Sequence, residues 1–198
     1  MMASDSSASL KTVGGSHVAL DTSPIAQARC DSTAFVQLYR KYYDAIFRYC
    51  VHRLFDRHTA EDITSDVFLK AAQSIACFKG TNESQFRNWL YRIATNAVND
   101  HLRKVNRRND LYERYYEQTD EQSTTYDESA ERDLTLLRQA MFSLRPKYQT
   151  VITLHFFENM KLIEVAEVIG CSPGTARSRL ARALAKLRKR LTAAGYVP

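Results

Sequence analysis

The stretch from Leu162 to Arg190 reads LIEVAEVIGCSPGTARSRLARALAKLRKR, and its pattern decides the fold. Leu162, Val165, Ala166 and Ile169 fall at i, i+3, i+4 and i+7, which makes one apolar face of a short helix. Gly170 follows, a residue able to take the left-handed conformation that ends a helix, and Ser172-Pro173 offers an N-cap and a first-turn proline. A second helix then turns Ala176, Leu180, Ala183 or Leu184, Leu187 and Leu191 inward. The spacing therefore predicts helix, tight turn, helix. The outer face carries Arg177, Arg179, Arg182, Lys186, Arg188, Lys189 and Arg190, and no acidic residue occurs from Cys171 onward. In a helix-turn-helix the second helix enters the DNA major groove by its N-terminal residues, where Arg can pair bidentately with guanine and Ser or Thr adapts to either strand. Thr175, Arg177, Ser178 and Arg182 occupy that position. A basic amphipathic helix also suits a membrane surface or a partner helix, but the preceding helix and turn favour DNA.

Working outward, Leu134, Leu137, Ala140, Met141 and Leu144 mark a helix stopped by Arg145-Pro146, and Tyr148 to Phe157 reads as another. The charge along the 198 residues is uneven: net 0 over residues 1–30, +5 over 31–108, −6 over 109–130 and +7 over 131–198. Two basic, hydrophobically patterned segments thus flank an acidic stretch, Asn109 to Ala130, with almost no aliphatic residues to offset the entropy of being fixed in a core. It is expected to be a linker. Residues 1–30, rich in Ser, Ala, Thr and Gly without a periodic apolar face, are expected to form a disordered tail.

In the first basic segment Phe35, Leu38, Tyr42, Ile46 and Tyr49 lie on one stripe of a helix. Thr59, followed by Glu61 and Asp62, reads as the N-cap of a second helix, with Ile63, Val67, Ala71 and Ile75 on its buried face to about Cys77. Lys79 to Asn82 interrupt the pattern. Phe86, Leu90, Ile93 and Ala97 begin a third helix that ends in Arg103, Lys104, Arg107 and Arg108, cations that suit either a solvated helix end or phosphate contacts. Phe78, Phe86, Trp89 and Tyr91 interleave there with Lys79, Arg87, Arg92, Asn96 and Asn99. Aromatic rings beside cations suit unstacked bases, though Phe86 and Trp89 fit core packing as well, and Asn96 in mid-helix fits either solvent or a base.

Several classes are disfavoured. No run approaches the roughly 20 apolar residues of a membrane span and no secretory leader is visible, so no direct membrane insertion and a cytoplasmic location are expected. The four cysteines lack metal-ligand spacing and read as reduced, mostly buried thiols. Neither G-x-G-x-x-G nor G-x-x-x-x-G-K occurs, and His52, His58 and His101 are not spaced as metal ligands. No cofactor, metal or catalytic residue is expected, and these residues argue against a nuclease.

Three motifs in order carry a resemblance: Ala60-Glu61-Asp62 leading to Asp66-Val67-Phe68-Leu69; Trp89-Leu90-Tyr91-Arg92-Ile93-Ala94-Thr95-Asn96; and Gly174-Thr175-Ala176-Arg177-Ser178-Arg179-Leu180 with Arg182. Over about residues 32 to 192 the chain resembles bacterial extracytoplasmic-function (ECF) sigma factors. The resemblance implies an all-α fold of two small helical domains, residues 31–108 and 131–195, joined by a flexible acidic linker, 109–130, the C-terminal domain a helix-turn-helix. It implies that Glu61, Asp62, Asp66, Phe68 and Lys70 meet the clamp of core RNA polymerase. Phe78, Lys79, Asn96, Asn99, Arg103, Lys104, Arg107 and Arg108 would read and melt the minus-ten element, with Phe78 and the Lys79 to Ser84 loop holding a flipped base. Thr175, Arg177, Ser178, Arg179, Arg182 and Lys186 would read the minus-35 element, with the C-terminal domain docked on the polymerase flap. Promoter DNA, core polymerase and an anti-sigma factor are the implied partners. A conventional helix-turn-helix regulator acting on duplex DNA is the rival reading.

Overall fold

The computed structural model describes residues 24–29, 31–112 and 128–195; the side chains of 106–112 and 128–131 lie outside the described residues. All regular structure among them is helical. The first domain holds α1 (Pro24–Ala28), α2 (Ser32–Leu54), α3 (Arg57–Ser74), a 3-10 turn (Ile75–Cys77) and α4 (Glu83–Tyr112). The second holds α5 (Glu128–Phe142), α6 (Pro146–Ile152), a π turn (Thr153–Phe157), α7 (Leu162–Ile169) and α8 (Pro173–Ala193).

The stripe read on α2 is its buried face: Leu38, Tyr42, Ile46 and Tyr49 are enclosed by Val67 and Ala71 of α3 and Leu90 and Ala94 of α4. Each fully buried Ile or Leu here contributes roughly 1.5–3 kcal/mol through area removed from water. The Tyr49 hydroxyl, inside this core, is satisfied by Thr95 Oγ1 at 2.8 Å. In the second domain Val151, Leu154, Val165, Ala176 and Ala183 form the centre.

Several expectations are corrected. α3 starts earlier than Thr59 indicates: Asp56 is the N-cap, accepting from the backbone N of His58 at 3.2 Å and of Thr59 at 3.1 Å, and Thr59 turns its own hydroxyl to the same carboxylate. Those bonds hold Asp56 below its ordinary pKa, the Thr59 hydroxyl most of all. Within the expected tail, Pro24–Ala28 is a helix whose Ile25 and Ala28 are buried against α2; the remaining residues of that tail, apart from Arg29, lie outside the described residues. Helical backbone also enters the expected linker from both ends, to Tyr112 and from Glu128, and its centre lies outside the described residues. Of the cysteines, Cys50 is buried, with burial raising its thiol pKa to about 11, whereas Cys77 is exposed and Cys171 is half-buried; Cys30 lies outside the described residues. No described helix is long and apolar enough to cross a membrane.

Candidate nucleic-acid and polymerase interfaces

The turn between α7 and α8 has the geometry its sequence predicts. Gly170 sits at φ 67°, where a side chain would be strained, and its N–H caps α7 at Ala166 O. Ser172 caps α8, its hydroxyl accepting from Thr175 N at 3.2 Å, with Pro173 in the first turn. With Ala176, Leu180 and Ala183 buried, Thr175, Arg177, Ser178, Arg182 and Lys186 are exposed and Arg179 is half-buried. None of the seven cations of this helix makes an ion pair with any described residue. Lys186 lies 5.8 Å from the Tyr148 ring centroid, and Ser178 Oγ donates to Thr175 O at 3.1 Å. Uncompensated positive charge at the N-terminal half of a helix is the kind of surface that phosphate contacts use.

The minus-ten candidates are less uniform. Lys79, Asn96, Arg103 and Lys104 are exposed, with Arg103 3.2 Å from Asp100. Arg107 and Arg108 are on the helical backbone of α4, but their side chains lie outside the described residues. Phe78 is half-buried, its ring edge-on to Phe86 at 5.8 Å and tilted against Trp89 at 4.9 Å. Phe86 itself is core. Asn99 is turned inward, where its Oδ1 accepts from Arg53 Nη2 at 2.8 Å.

On α3, Glu61, Asp62, Asp66 and Lys70 are exposed along one side, with Glu61 3.4 Å from Arg57 and Asp62 3.5 Å from His58. Phe68 does not share that surface. It is buried beneath Tyr39 and Tyr43, with ring centroids 4.8 and 6.0 Å away, because its position faces α2; Leu69 is the large apolar side chain that α3 exposes. Phe68 therefore supports the face instead of presenting itself.

The sequence reading did not find how the two domains meet. Arg53 of α2 is 1% exposed; it donates to Asn99 Oδ1 of its own domain and, across the boundary, to Gln149 Oε1 at 3.2 Å and to Pro146 O at 3.4 Å. These partners are neutral, and burial lowers the guanidinium pKa from its ordinary value while Tyr49 acts the other way. Glu158, just past the π turn, accepts from Tyr91 and lies 3.3 Å from His52 Nδ1. Along α4, Arg87 reaches Glu164, Asn88 donates to Glu167 at 2.6 Å, and Arg92 reaches the carbonyls of Glu167 and Val168. Spacing alone could not separate these polar positions of α4 from nucleic-acid contacts. A cleft of about 310 Å³ remains between the domains, with Asn96 of the minus-ten set and Arg179 of the minus-35 set on its walls.

Comparison with known proteins matches residues 38–108 to Sigma-70 region 2 and residues 134–187 to Sigma-70, region 4. The ECF RNA polymerase sigma factor SigW of Bacillus subtilis (strain 168) is 34% identical over 173 residues, covering 81% of this chain and 90% of that protein. The chain belongs to the ECF sigma factors. The RNA polymerase sigma-H factor of Pseudomonas aeruginosa is 32% identical over 173 residues, covering 82% of this chain and 89% of that one. Among solved structures, CnrH in complex with the cytosolic domain of CnrY aligns at a TM-score of 0.63 and 26% identity, covering 88% of this chain and 98% of CnrH. As an ECF sigma factor the protein is a promoter-specificity subunit of RNA polymerase, and the duplex-only regulator finds no support, since both matched regions belong to sigma factors.

Proposed function

We propose that this sigma factor divides the promoter between its domains, residues 31–108 binding the polymerase clamp and the minus-ten element and residues 131–195 the minus-35 element. The observation that carries the reading is α8, a capped helix whose cations have no acidic partner among the described residues. Thr175, Arg177, Ser178, Arg179, Arg182 and Lys186 then read duplex DNA, and a bidentate Arg contributes about 1–3 kcal/mol of discrimination against a wrong base. Asn96, with Lys79, Arg103 and Lys104, tracks the opened strand. Stacking returns roughly 1–3 kcal/mol for each captured base, against a few kcal/mol for unstacking it, so strand capture opens DNA without a nucleotide cofactor. Glu61, Asp62, Asp66 and Lys70 form the polymerase face, and bond-making chemistry stays with the polymerase.

Elements about 25 base pairs apart lie about 85 Å apart at 3.4 Å per base pair. Domains joined at the α4 to α7 contact must separate to reach both, and that separation frees Arg87 and Arg92. Asn99 keeps its bond to Arg53 of the same domain when the domains part, so Asn96 and the exposed cations carry the minus-ten surface. The linker, 109–130, provides the reach.

An anti-sigma factor is the inhibitory partner we infer. CnrH is held by the cytosolic domain of CnrY, and this chain exposes Leu134, Phe142, Phe156 and Ile163 on its second domain, apolar positions suited to a protein partner such as that inhibitor or the polymerase flap.

Transcription from a cognate promoter by core polymerase plus this chain, with neither active alone, tests the reading. Binding to duplex DNA without activation of core polymerase contradicts it.

A further inference from the structure

Arg29, at the end of α1, reaches over the loop between the 3-10 turn and α4: its Nη2 donates to Gly80 O, and its guanidinium carbon lies 6.0 Å from the Phe78 ring centroid. Gly80 in turn is pressed on that ring. A Cβ built at residue 80 falls 2.2 Å from Phe78 Cζ, so any larger residue there would push the Phe78 ring aside. The far side of the loop is fastened to α2 by Tyr42, whose hydroxyl donates to Glu83 at 2.9 Å, and by the Lys41 to Glu83 ion pair, which hold the Glu83 carboxyl below its ordinary pKa. Beside the Glu83 attachment lies a cavity of about 290 Å³ with Ile25 of α1 and Leu38 of α2 on one side and Thr81 and Asn82 of the loop on the other; Arg29 and Phe78 do not line it, and Arg29 acts on it through the loop. Apolar walls with polar groups at the rim suit a flat heteroaromatic ring. Arg29 Nε is buried without a hydrogen-bond partner among the described residues.

We propose that Arg29 is a positioning residue for minus-ten base selection. By gripping Gly80 O and the Phe78 face it fixes the loop from Lys79 to Ser84 in the shape that accepts one extruded base, and α1 is thereby part of the promoter-reading module. The inference rests on the minus-ten reading above. It differs from a purely structural role for α1 because it ties Arg29 to the identity of a base.

The test uses holoenzyme formed from the full chain and core polymerase. Open-complex yield is measured on promoters in which each minus-ten non-template position carries each of the four bases, or an abasic site, in turn. Wild-type chain is expected to show one position where the favoured base exceeds the others. Arg29→Gln is expected to lower that ratio at least fivefold, and Arg29→Lys, which keeps a cation over Phe78, to restore part of it. On the template abasic at that position the three proteins are expected to be equal. If Arg29→Gln keeps the wild-type ratio, or lowers yield equally on every template including the abasic one, the inference is overturned while the minus-ten reading stands. If wild type itself is indifferent to base and abasic site at every position, the minus-ten reading fails.

Discussion

Tyr91 on α4 donates its hydroxyl hydrogen to Glu158 Oε2 of the second domain at 2.8 Å. The Glu158 side chain is 1% exposed, and burial, followed by the carboxylate itself, pushes the Tyr91 pKa well above its ordinary value, so the phenol remains a donor at any physiological pH. A carboxylate of one domain is thus enclosed by side chains of the other. Losing one donor to such a group costs about 1–3 kcal/mol. Tyr91→Phe is expected to shift the chain toward separated domains, read as a longer distance between fluorophores on the exposed ends of α3 and α8. An unchanged distance distribution contradicts the importance of this contact.

Arg177→Ala and Arg182→Ala are each expected to weaken discrimination between the cognate minus-35 element and a mutated one by about 1–3 kcal/mol. Assembly with core polymerase should not change, since both side chains sit on the exposed face of α8. Run-off transcription from the two templates measures the ratio. Equal discrimination by wild type and variants sets these residues aside.

Asp62→Arg reverses an exposed charge on α3 and is expected to weaken core-polymerase binding at least tenfold without altering folding, because its ion-pair partner among the described residues is the exposed His58. Co-migration of the variant with core polymerase at wild-type concentrations dissociates the clamp from this face.

The local elements were legible in the sequence and their assembly was not. The α7 to α8 turn is written in adjacent residues, Gly170, Ser172 and Pro173, each acting through its own backbone conformation. The stripes on α2 and α4 are likewise local. Asp56 escaped notice because Thr59 and two acids imitate the same cap three residues later. Phe68 is placed on the polymerase face by the family resemblance alone, which does not show that Tyr39 and Tyr43 cover it. The contacts of Arg87, Asn88 and Arg92 join positions more than 70 residues apart, and cations that bind carbonyls and carboxylates look the same in a sequence as cations that bind phosphates.

Asp56 carries a pH-dependent contribution. Its folded pKa is depressed, so its stabilisation is fully present above the ordinary value of 3.8 and is lost as pH falls through the lower folded value. Asp56→Ala is expected to cost about 1 kcal/mol at neutral pH through the missing cap, and to flatten the acid limb of the stability curve. Denaturant titrations at neutral and acid pH measure both.

The central claim is that one domain holds paired DNA while the other holds an exposed single strand. The most direct test is the affinity of holoenzyme for short non-template oligonucleotides spanning the minus-ten element. Binding that depends on base sequence, and that falls with Asn96→Ala but not with Arg177→Ala, is the predicted result; equal affinity for every sequence, or loss with Arg177→Ala alone, contradicts it.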